Sequence, residues 1–309
     1  MQATVYKSTG SWYTVKTSNG DFCNARIKGK FKIDGISSSN PIAVGDVVEL
    51  ENENDEESIM INEIHPRKNY IVRTSPHNKN QHHIIAANIN QTLLFATLKD
   101  PKTSLGFIDR FLVTAEAYHI PAIIVFNKID LLNEKQYDEL LQIKNMYEQI
   151  GYPILLISIE KKLGLDDMKA LLENKTTLIS GHSGVGKSTF INHIFPEHHL
   201  KTQEVSDWSG KGMHTTTFAE MFDLPFGGQL IDTPGIRELG LVDIQQQELS
   251  HFFPEMKALI QDCQFNNCIH LNEPHCAIKK AVMDTPSKIT EHRYMSYLNI
   301  LDSIEKKSF

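Results

Sequence analysis

The 309 residues are too many for one ordinary core, since a domain takes roughly 100 to 200, and the chain reads as two or three domains. With 40% hydrophobic and 22% charged residues, 17 Gly, 12 Pro and no low-complexity tract, disorder over most of the length is excluded. A formal net charge of -7 gives no whole-molecule attraction to nucleic acid or to an anionic membrane, so any RNA contact must come from a local patch.

Residues 1–70 read as short strands. TVYKSTGSWYTVKTSNGDFCNARIKGKFKI carries turn signals at Thr9-Gly10 and Asn19-Gly20, and the strand-like runs PIAVGDVVEL and SIMINEI follow. No helical period interrupts them, which predicts a small all-β barrel of the five-stranded OB type. Cys23 falls in this region as a small core residue, and the acidic run from Glu49 to Glu57 reads as a solvated hairpin tip. In Arg26-Ile-Lys-Gly-Lys-Phe-Lys32 the basic residues Arg26, Lys28, Lys30 and Lys32 recur with period two. A strand would set all four on one face and Ile27 and Phe31 on the other, either a phosphate-binding stripe for RNA or an ordinary solvated face. The N-terminus lacks the basic, apolar and cleavage regions of a signal peptide, and no apolar run approaches the roughly 18 to 20 residues that span a bilayer. A cytoplasmic protein without a membrane partner is expected.

Over residues 71–241 the texture is that of an α/β domain. From about residue 84, apolar runs (QTLLFATL, PAIIVFNK, PILLISI, TTLISG, GQLIDT) alternate with helical stretches such as GFIDRFLVTAEAYHI and NEKQYDELLQIKNMYEQIG, which predicts a parallel sheet covered on both faces. The paired histidines His82-His83 and His198-His199 read as solvated loop residues.

Four motifs in this segment carry chemistry. The first is Asn127-Lys128-Ile129-Asp130, directly after the apolar run AIIVF. One carboxylate can accept both the N1–H and the exocyclic amine of guanine, a donor pair that adenine lacks, so Asp130 selects GTP over ATP. Ser158-Ile159-Glu160, after PILLI, is placed to brace the base from the other side.

The second is Gly181-His182-Ser183-Gly184-Val185-Gly186-Lys187-Ser188, followed by Thr189, which fits GxxxxGK[ST] between a short apolar strand and a helix-forming segment. Chance would supply such a match about 0.01 times in a chain of this length. Backbone N–H groups and the helix N-terminus cradle phosphate oxygens, Lys187 neutralises β- and γ-phosphate charge, and the Ser188 hydroxyl binds Mg²⁺.

The third is Gly212-Met-His-Thr-Thr-Thr217, where one threonine is expected on Mg²⁺ and the γ-phosphate. Three adjacent threonines leave the register open among Thr215, Thr216 and Thr217, with Thr216 the choice made here. His214 is the candidate to position the attacking water. The fourth is Asp232-Thr-Pro-Gly235, in which the carboxylate would hold Mg²⁺ through water and the Gly235 N–H would approach the γ-phosphate. The next residue, Ile236, cannot orient water by hydrogen bonding, so slow intrinsic hydrolysis is expected, and Arg237 is a weaker candidate for a finger in cis.

The order of these motifs is itself informative. In an ordinary GTPase the phosphate loop comes first and the NKxD segment late, whereas here residues 127 and 158 precede 181, 216 and 232. The sheet is circularly permuted, which leaves the site intact because nucleotide contacts all come from loops at the carboxyl ends of strands. The segment after Asp232 then leads directly into residues 242–309, a small and mostly helical third domain that ends in an amphipathic stretch from about Ser287 to Lys306. There Cys263, Cys268, His270 and Cys276 offer a closed Cys₃His set suited to one structural Zn²⁺, the alternatives being free buried thiols or an occasional disulfide, with His275 a rival fourth ligand hampered by its adjacency to Cys276.

With NKID, SIE, GHSGVGKST, GMHTTT, DTPG and the CxxxxCxH cluster in this order, plus IIAANINQ at 84–91, the chain resembles the bacterial RsgA (YjeQ) family of small-ribosomal-subunit biogenesis GTPases over essentially its whole length. The resemblance implies an N-terminal OB fold, a permuted GTPase domain and a C-terminal zinc domain. It also implies action in late maturation of the small subunit through contact with its ribosomal RNA. It carries guanine recognition to Asn127, Lys128 and Asp130, phosphate and Mg²⁺ binding to Gly181 through Thr189, and zinc to Cys263, Cys268, His270 and Cys276. The chain departs from the family's common pattern at Met213, where arginine is usual, and at His275, where glycine is usual.

The expected cycle is that GTP and Mg²⁺ order the switches and reposition the zinc domain to complete a ribosome-binding face, ribosomal contacts speed hydrolysis, and hydrolysis to GDP and phosphate releases the subunit. A nucleotide-gated RNA-binding module, in which hydrolysis merely resets binding, is the alternative; a P-loop ATPase or kinase is disfavoured by Asp130. Three domains without heptads suggest a monomer.

Overall fold

The computed structural model describes residues 1–27, 41–52, 59–74, 82–196, 219–233 and 244–305. Strict alternation of buried and half-buried residues, as in Tyr13-Thr-Val-Lys-Thr17, makes the N-terminal runs strands with one inward face. These are β1 (Gln2–Ser8), β2 (Tyr13–Thr17), β3 (Phe22–Ile27), β4 (Val47–Asn52) and β5 (Ile59–Ile64). They join in the order β1-β2-β3-β5-β4, and β4 returns to pair with β1, so the sheet closes into the expected five-stranded barrel. Val5, Tyr13, Val15, Ala25, Ile42, Val48, Leu50 and Ile61 fill it, with Cys23 packed against them.

Two readings of this region change. Glu49 and Glu51 belong to β4, so the acidic run begins inside a strand, while residues 53–57 lie outside those described. Glu49 is paired with the N-terminal amine at 3.2 Å and with His65 at 3.0 Å. His82 and His83 are not loop residues: they open β7 (His82–Ala87), which pairs antiparallel with β6 (Tyr70–Thr74). Burial of Ile71, Val72, Ile84 and Ala86 overrides the polar flank and holds this hairpin. His198 and His199 lie outside the described residues.

The central sheet runs β10 (Ile154–Leu156), β9 (Ala122–Phe126), β8 (Gln91–Ala96), β11 (Thr176–Ser180), β13 (Gln229–Asp232), β12 (Glu220–Asp223). All neighbours are parallel except β12, a short antiparallel edge that the sequence reading did not anticipate. Alternate residues of these strands serve the two faces. Leu94, Ala96, Ile124, Phe126, Leu178 and Ile231 pack with helices α1 (Leu105–Ala117) and α2 (Glu134–Ile150). Leu93, Phe95, Ile123, Val125, Ile179 and Leu230 pack with α3 (Leu165–Leu172) and α4 (Lys187–Ile194). Burial on both faces is what makes these strands continuous apolar runs.

The barrel and the central sheet share one sheet, because β1 pairs with β12 at Lys7 and Glu220. Side chains reinforce the seam: Lys7 to Glu220 at 3.0 Å, Tyr6 Oη to Asp223 at 2.7 Å and Lys16 to Asp223 at 2.5 Å. The C-terminal region is helical, with α5 (Pro254–Lys257), α6 (Ala277–Met283) and α7 (Glu291–Glu305). Helix α7 is shorter than the expected amphipathic stretch. It starts after Thr290, whose hydroxyl accepts from the Arg293 N–H as a cap, while the Ser287 hydroxyl bonds back to the carbonyls of Ala281 and Ile289. Phe253, Met256, Ile278, Tyr297, Ile300 and Leu301 form its core, joined by Val113 of α1.

Candidate functional site

The carboxyl ends of β8, β9, β10, β11 and β13 lie along one edge of the central sheet, and the segments 127–130, 158–160, 181–188 and Asp232 sit there. The phosphate loop leaves β11 at Gly181, which has φ 139° and lies so close to β8 that an added Cβ would stand 2.4 Å from the Phe95 carbonyl oxygen. It enters α4 at Gly186, φ 102°, where a Cβ would stand 2.2 Å from Asn127 Nδ2. Side chains are impossible at both positions, so the loop is held by contact with its neighbours as well as by its own turn. Ser183, Gly184 and Thr189 are exposed, Val185 is buried, and Ser188 is half-buried in the first turn of α4.

Lys187 opens α4 and donates from Nζ to the carbonyls of Gly181 at 2.5 Å and His182 at 2.8 Å. Burial lowers its pKa and the charge of Asp232 opposes that shift. Asp232 ends β13, opposite Ile179 of β11. Burial raises its carboxyl, with Lys187 as the main countering charge. The two groups therefore share a half-buried, partly compensated electrostatic environment.

The loop of Asn127 to Asp130, the candidate base-reading loop, follows β9. Asn127 is buried; it donates from Nδ2 to the Val185 carbonyl at 2.9 Å and accepts the Ile159 N–H at 3.3 Å. Lys128 takes the left-handed conformation, φ 64°, and its Nζ donates to the Asp100 carbonyl at 2.7 Å. Ile129 begins a single 3₁₀ turn, and Asp130 within it accepts a short hydrogen bond from the buried Ser158 hydroxyl. The segments at 127–130, 158–159 and 181–188, widely separated in sequence, are thus one constellation. Thr216, His214, Gly235, Ile236 and Arg237 lie outside the described residues, as do Lys28, Lys30 and Lys32. Arg26 is exposed on β3, its guanidinium 3.7 Å from the centroid of the Trp12 ring, and Ile27 packs inward.

The sequence reading missed the loop after β8. Thr97 and Thr103 are buried and brace it, the Thr97 N–H donating to Thr103 Oγ1 at 3.1 Å, and it offers the Asp100 carbonyl to Lys128. Phe107, just beyond it on α1, packs its ring on that of His182 with centroids 3.8 Å apart. The available signal was positional: β8 neighbours β11 in a parallel sheet, so the loop at its carboxyl end had to border the phosphate loop.

In the C-terminal region Cys263, Cys268, His270 and Cys276 present four donor atoms, all within 4.8 Å of one another. His270 Nδ1 lies 3.4 Å from the Cys276 sulfur and 3.7 Å from that of Cys263. Tetrahedral Zn²⁺ with ordinary bond lengths needs donor separations of about 3.6 to 3.8 Å, so these two edges fit a metal centre. Nε2 of His270 is buried without a hydrogen-bond partner, burial lowers the ring's pKa, and Nδ1 faces the sulfurs. Burial pushes the Cys268 thiol up to about 12 and raises Cys276, and the crowding of the thiols adds to both shifts. The set can hold one metal ion. His275, the rival ligand, is exposed and outside it.

The chain around His270 is clamped from both sides. Glu273 accepts the N–H groups of Ile269 at 2.7 Å and Leu271 at 2.8 Å, while Tyr297 and Tyr294 of α7 donate to the carbonyls of Ile269 at 2.8 Å and His270 at 2.7 Å. Among the described residues no helix is long and apolar enough to cross a membrane.

Comparison with known proteins agrees with this architecture. The family described as RsgA GTPase matches residues 64–242, and that described as RsgA N-terminal domain matches residues 2–60. A Flavobacterium johnsoniae protein named small ribosomal subunit biogenesis GTPase RsgA is 53% identical over 308 residues, 99% of this chain and 94% of that protein. The crystal structure of YjeQ from Thermotoga maritima superposes with a TM-score of 0.77 at 31% identity, covering 98% of this chain and 97% of that one. YloQ, described as a circularly permuted GTPase, gives a TM-score of 0.73 at 30% identity over 99% of this chain and 95% of that one.

Proposed function

The chain belongs to the RsgA GTPase family and is a GTP-hydrolysing enzyme, and from that premise we propose that it binds the small ribosomal subunit, assists its late maturation, and turns GTP over to GDP and phosphate faster when bound there. The observation that carries the enzymatic half is the convergence of Asn127, Asp130 and Ser158 with Gly181 through Ser188 at one sheet edge. The ribosomal half rests on the function printed in the name of a full-length relative.

In this reading Asp130 takes the guanine donor pair, with Lys128 and Ile129 shaping its loop and Ser158 orienting the carboxylate. The backbone of Gly181, His182, Ser183, Gly184, Val185 and Gly186, with the side chains of Lys187, Ser188 and Thr189 beside it, receives the phosphates. Mg²⁺ would be held by Ser188, Thr216 and, through water, Asp232, and would neutralise charge that develops on the β- and γ-phosphate oxygens. Lys187 adds a half-buried positive charge whose orientation is set by two carbonyls. His214 would position the attacking water and the Gly235 N–H would approach the γ-phosphate.

Zinc, one per chain and structural, is the ion assigned to Cys263, Cys268, His270 and Cys276. Residues 1–70, with Arg26, Lys28, Lys30 and Lys32, would meet ribosomal RNA; residues 71–241 form the permuted GTPase domain and 242–309 the zinc domain. The protein would act in the cytoplasm as a monomer without a membrane partner. Phosphate release from GTP and from ATP, measured with and without small ribosomal subunits, tests the proposal. A large rise for GTP with small subunits alone is expected. A GTP rate that subunits leave unchanged would replace it with a binding switch.

A further inference from the structure

Helix α1 touches the phosphate loop and the C-terminal region within a single turn of its own length. On one side Phe107 packs its ring on His182, whose carbonyl is one of the two that hold Lys187 Nζ. On the other, Asp109 is fully buried and accepts from Arg293 of α7 at 2.6 Å, with His292 at 3.1 Å on its second oxygen and the Tyr147 hydroxyl of α2 at 2.7 Å. Arg293 is itself fully buried and also donates to Glu255 of α5 at 2.6 and 3.2 Å. Arg110 donates to Ser303 at 2.9 Å, and Val113 sits in the C-terminal core.

A buried charge network of this kind is stiff, because moving one member strands another without compensation. An α-helix is rigid over one turn, and Phe107 is only about 4.5 Å along the axis from Arg110. A displacement of α7 therefore reaches the His182 ring nearly undiminished. From there it reaches the carbonyl that orients Lys187. This route does not use the segment that follows Asp232.

We propose that α1 is the lever through which the C-terminal region sets the phosphate loop, with Phe107 the positioning residue for His182 and the Asp109–Arg293 pair the clamp at the driven end. The inference rests on the reading that residues 181–189 receive the phosphates of GTP.

The full chain is titrated with a fluorescent GDP analogue in four variants, Phe107→Leu, Phe107→Tyr, Arg293→Lys and Phe107→Leu with Arg293→Lys, each first shown by thermal unfolding to be folded. Phe107→Leu and Arg293→Lys should each weaken binding about three- to tenfold, the double variant should be no weaker than the weaker single, and Phe107→Tyr should restore wild-type affinity. The His182 ring resonance, identified by its loss in His182→Gln, should be shifted by the Phe107 ring current in the wild type and move in Arg293→Lys. If Arg293→Lys fails to fold, Ser303→Ala, which frees Arg110 on the same helix, should move that resonance in its place. An Arg293→Lys chain with wild-type affinity and an unmoved His182 resonance overturns the lever, and so do losses that multiply in the double variant. Absence of GDP-analogue binding by the wild type would instead overturn the reading of the site.

Discussion

Asn127 Nδ2 donates to the carbonyl of Val185, 58 residues further along the chain, at 2.9 Å. The same amide accepts the Ile159 N–H, so one buried side chain fastens the base-reading loop, its brace and the phosphate loop together. Gly186 gives it room. In Gly186→Ala the new Cβ would meet Asn127 Nδ2 at 2.2 Å and would have to adopt φ 102°. With the Val185 carbonyl left unsatisfied as well, the cost is about 1 to 3 kcal/mol. The variant should unfold several degrees earlier in a thermal melt and bind GDP at least tenfold more weakly by calorimetry.

Asp130→Asn should change which base is bound. The carboxylate accepts two hydrogens from guanine, whereas an amide offers one acceptor and one donor, a match for the N1–H and 2-oxo group of xanthine. Hydrogen bonds to a charged group are worth about 1.5 to 3 kcal/mol, so GDP affinity should fall at least tenfold. Competition between GDP and XDP for the variant measures this, and an unchanged preference for GDP would place the base elsewhere.

Removal of a thiolate from the metal set should be felt as loss of fold in the C-terminal region. Cys268 is buried in the same cluster as Leu249, Phe253, Tyr297 and Leu301. Cys268→Ser should therefore lose zinc, measured by inductively coupled plasma mass spectrometry, and lose protection from hydrogen exchange in α7. Amides of α3, packed on the central sheet, should keep theirs.

The Asp109 network predicts a particular acid sensitivity. Burial by itself raises the Asp109 carboxyl, but the His292 hydrogen bond and the Arg293 charge outweigh it and hold the pKa below the ordinary value. A depressed carboxyl contributes stability that is complete above the unfolded value of about 3.9 and is lost as pH falls through the folded one. Asp109→Asn should thus be less stable than the wild type by about 3 to 5 kcal/mol at neutral pH. The gap in melting temperature should narrow below about pH 4, and a gap independent of pH would show that the carboxylate charge is not what stabilises the helix pair.

Local chemistry made the segments that meet at the sheet edge legible in the sequence as candidate nucleotide contacts. Gly181, Gly186 and Lys187 point to a strand-to-helix phosphate loop through their spacing, Asp232 ends an apolar run, and Asp130 follows another by four residues. The four donors around His270 lie within fourteen residues of one another. What stayed hidden depends on partners far away in the chain. Asp109 is separated from Arg293 by 184 residues and occurs in a helix whose charged positions look like any solvated face. Phe107 reads as one more apolar residue of α1, and nothing in its neighbourhood announces His182. Strand β12, only four residues long, is fixed by pairing with β13 and β1 and not by any pattern of its own. His82 and His83 misled because the apolar residues that make them part of a strand, Ile84 and Ala86 on β7 and Ile71 and Val72 on β6, follow them or lie across the hairpin.

The pairing of β1 with β12 also decides what happens at the rim of the central sheet. An open sheet ends in a strand whose unpaired amides and carbonyls are a template for another molecule. Here the barrel supplies the next strand, and Lys7, Lys16 and Tyr6 fasten it there through Glu220 and Asp223. The barrel thus covers part of that rim. A chain cut before residue 65 would keep every nucleotide motif and still expose β12, so its first fate in solution would be edge-to-edge self-association, and its colloidal behaviour would fail before its chemistry did.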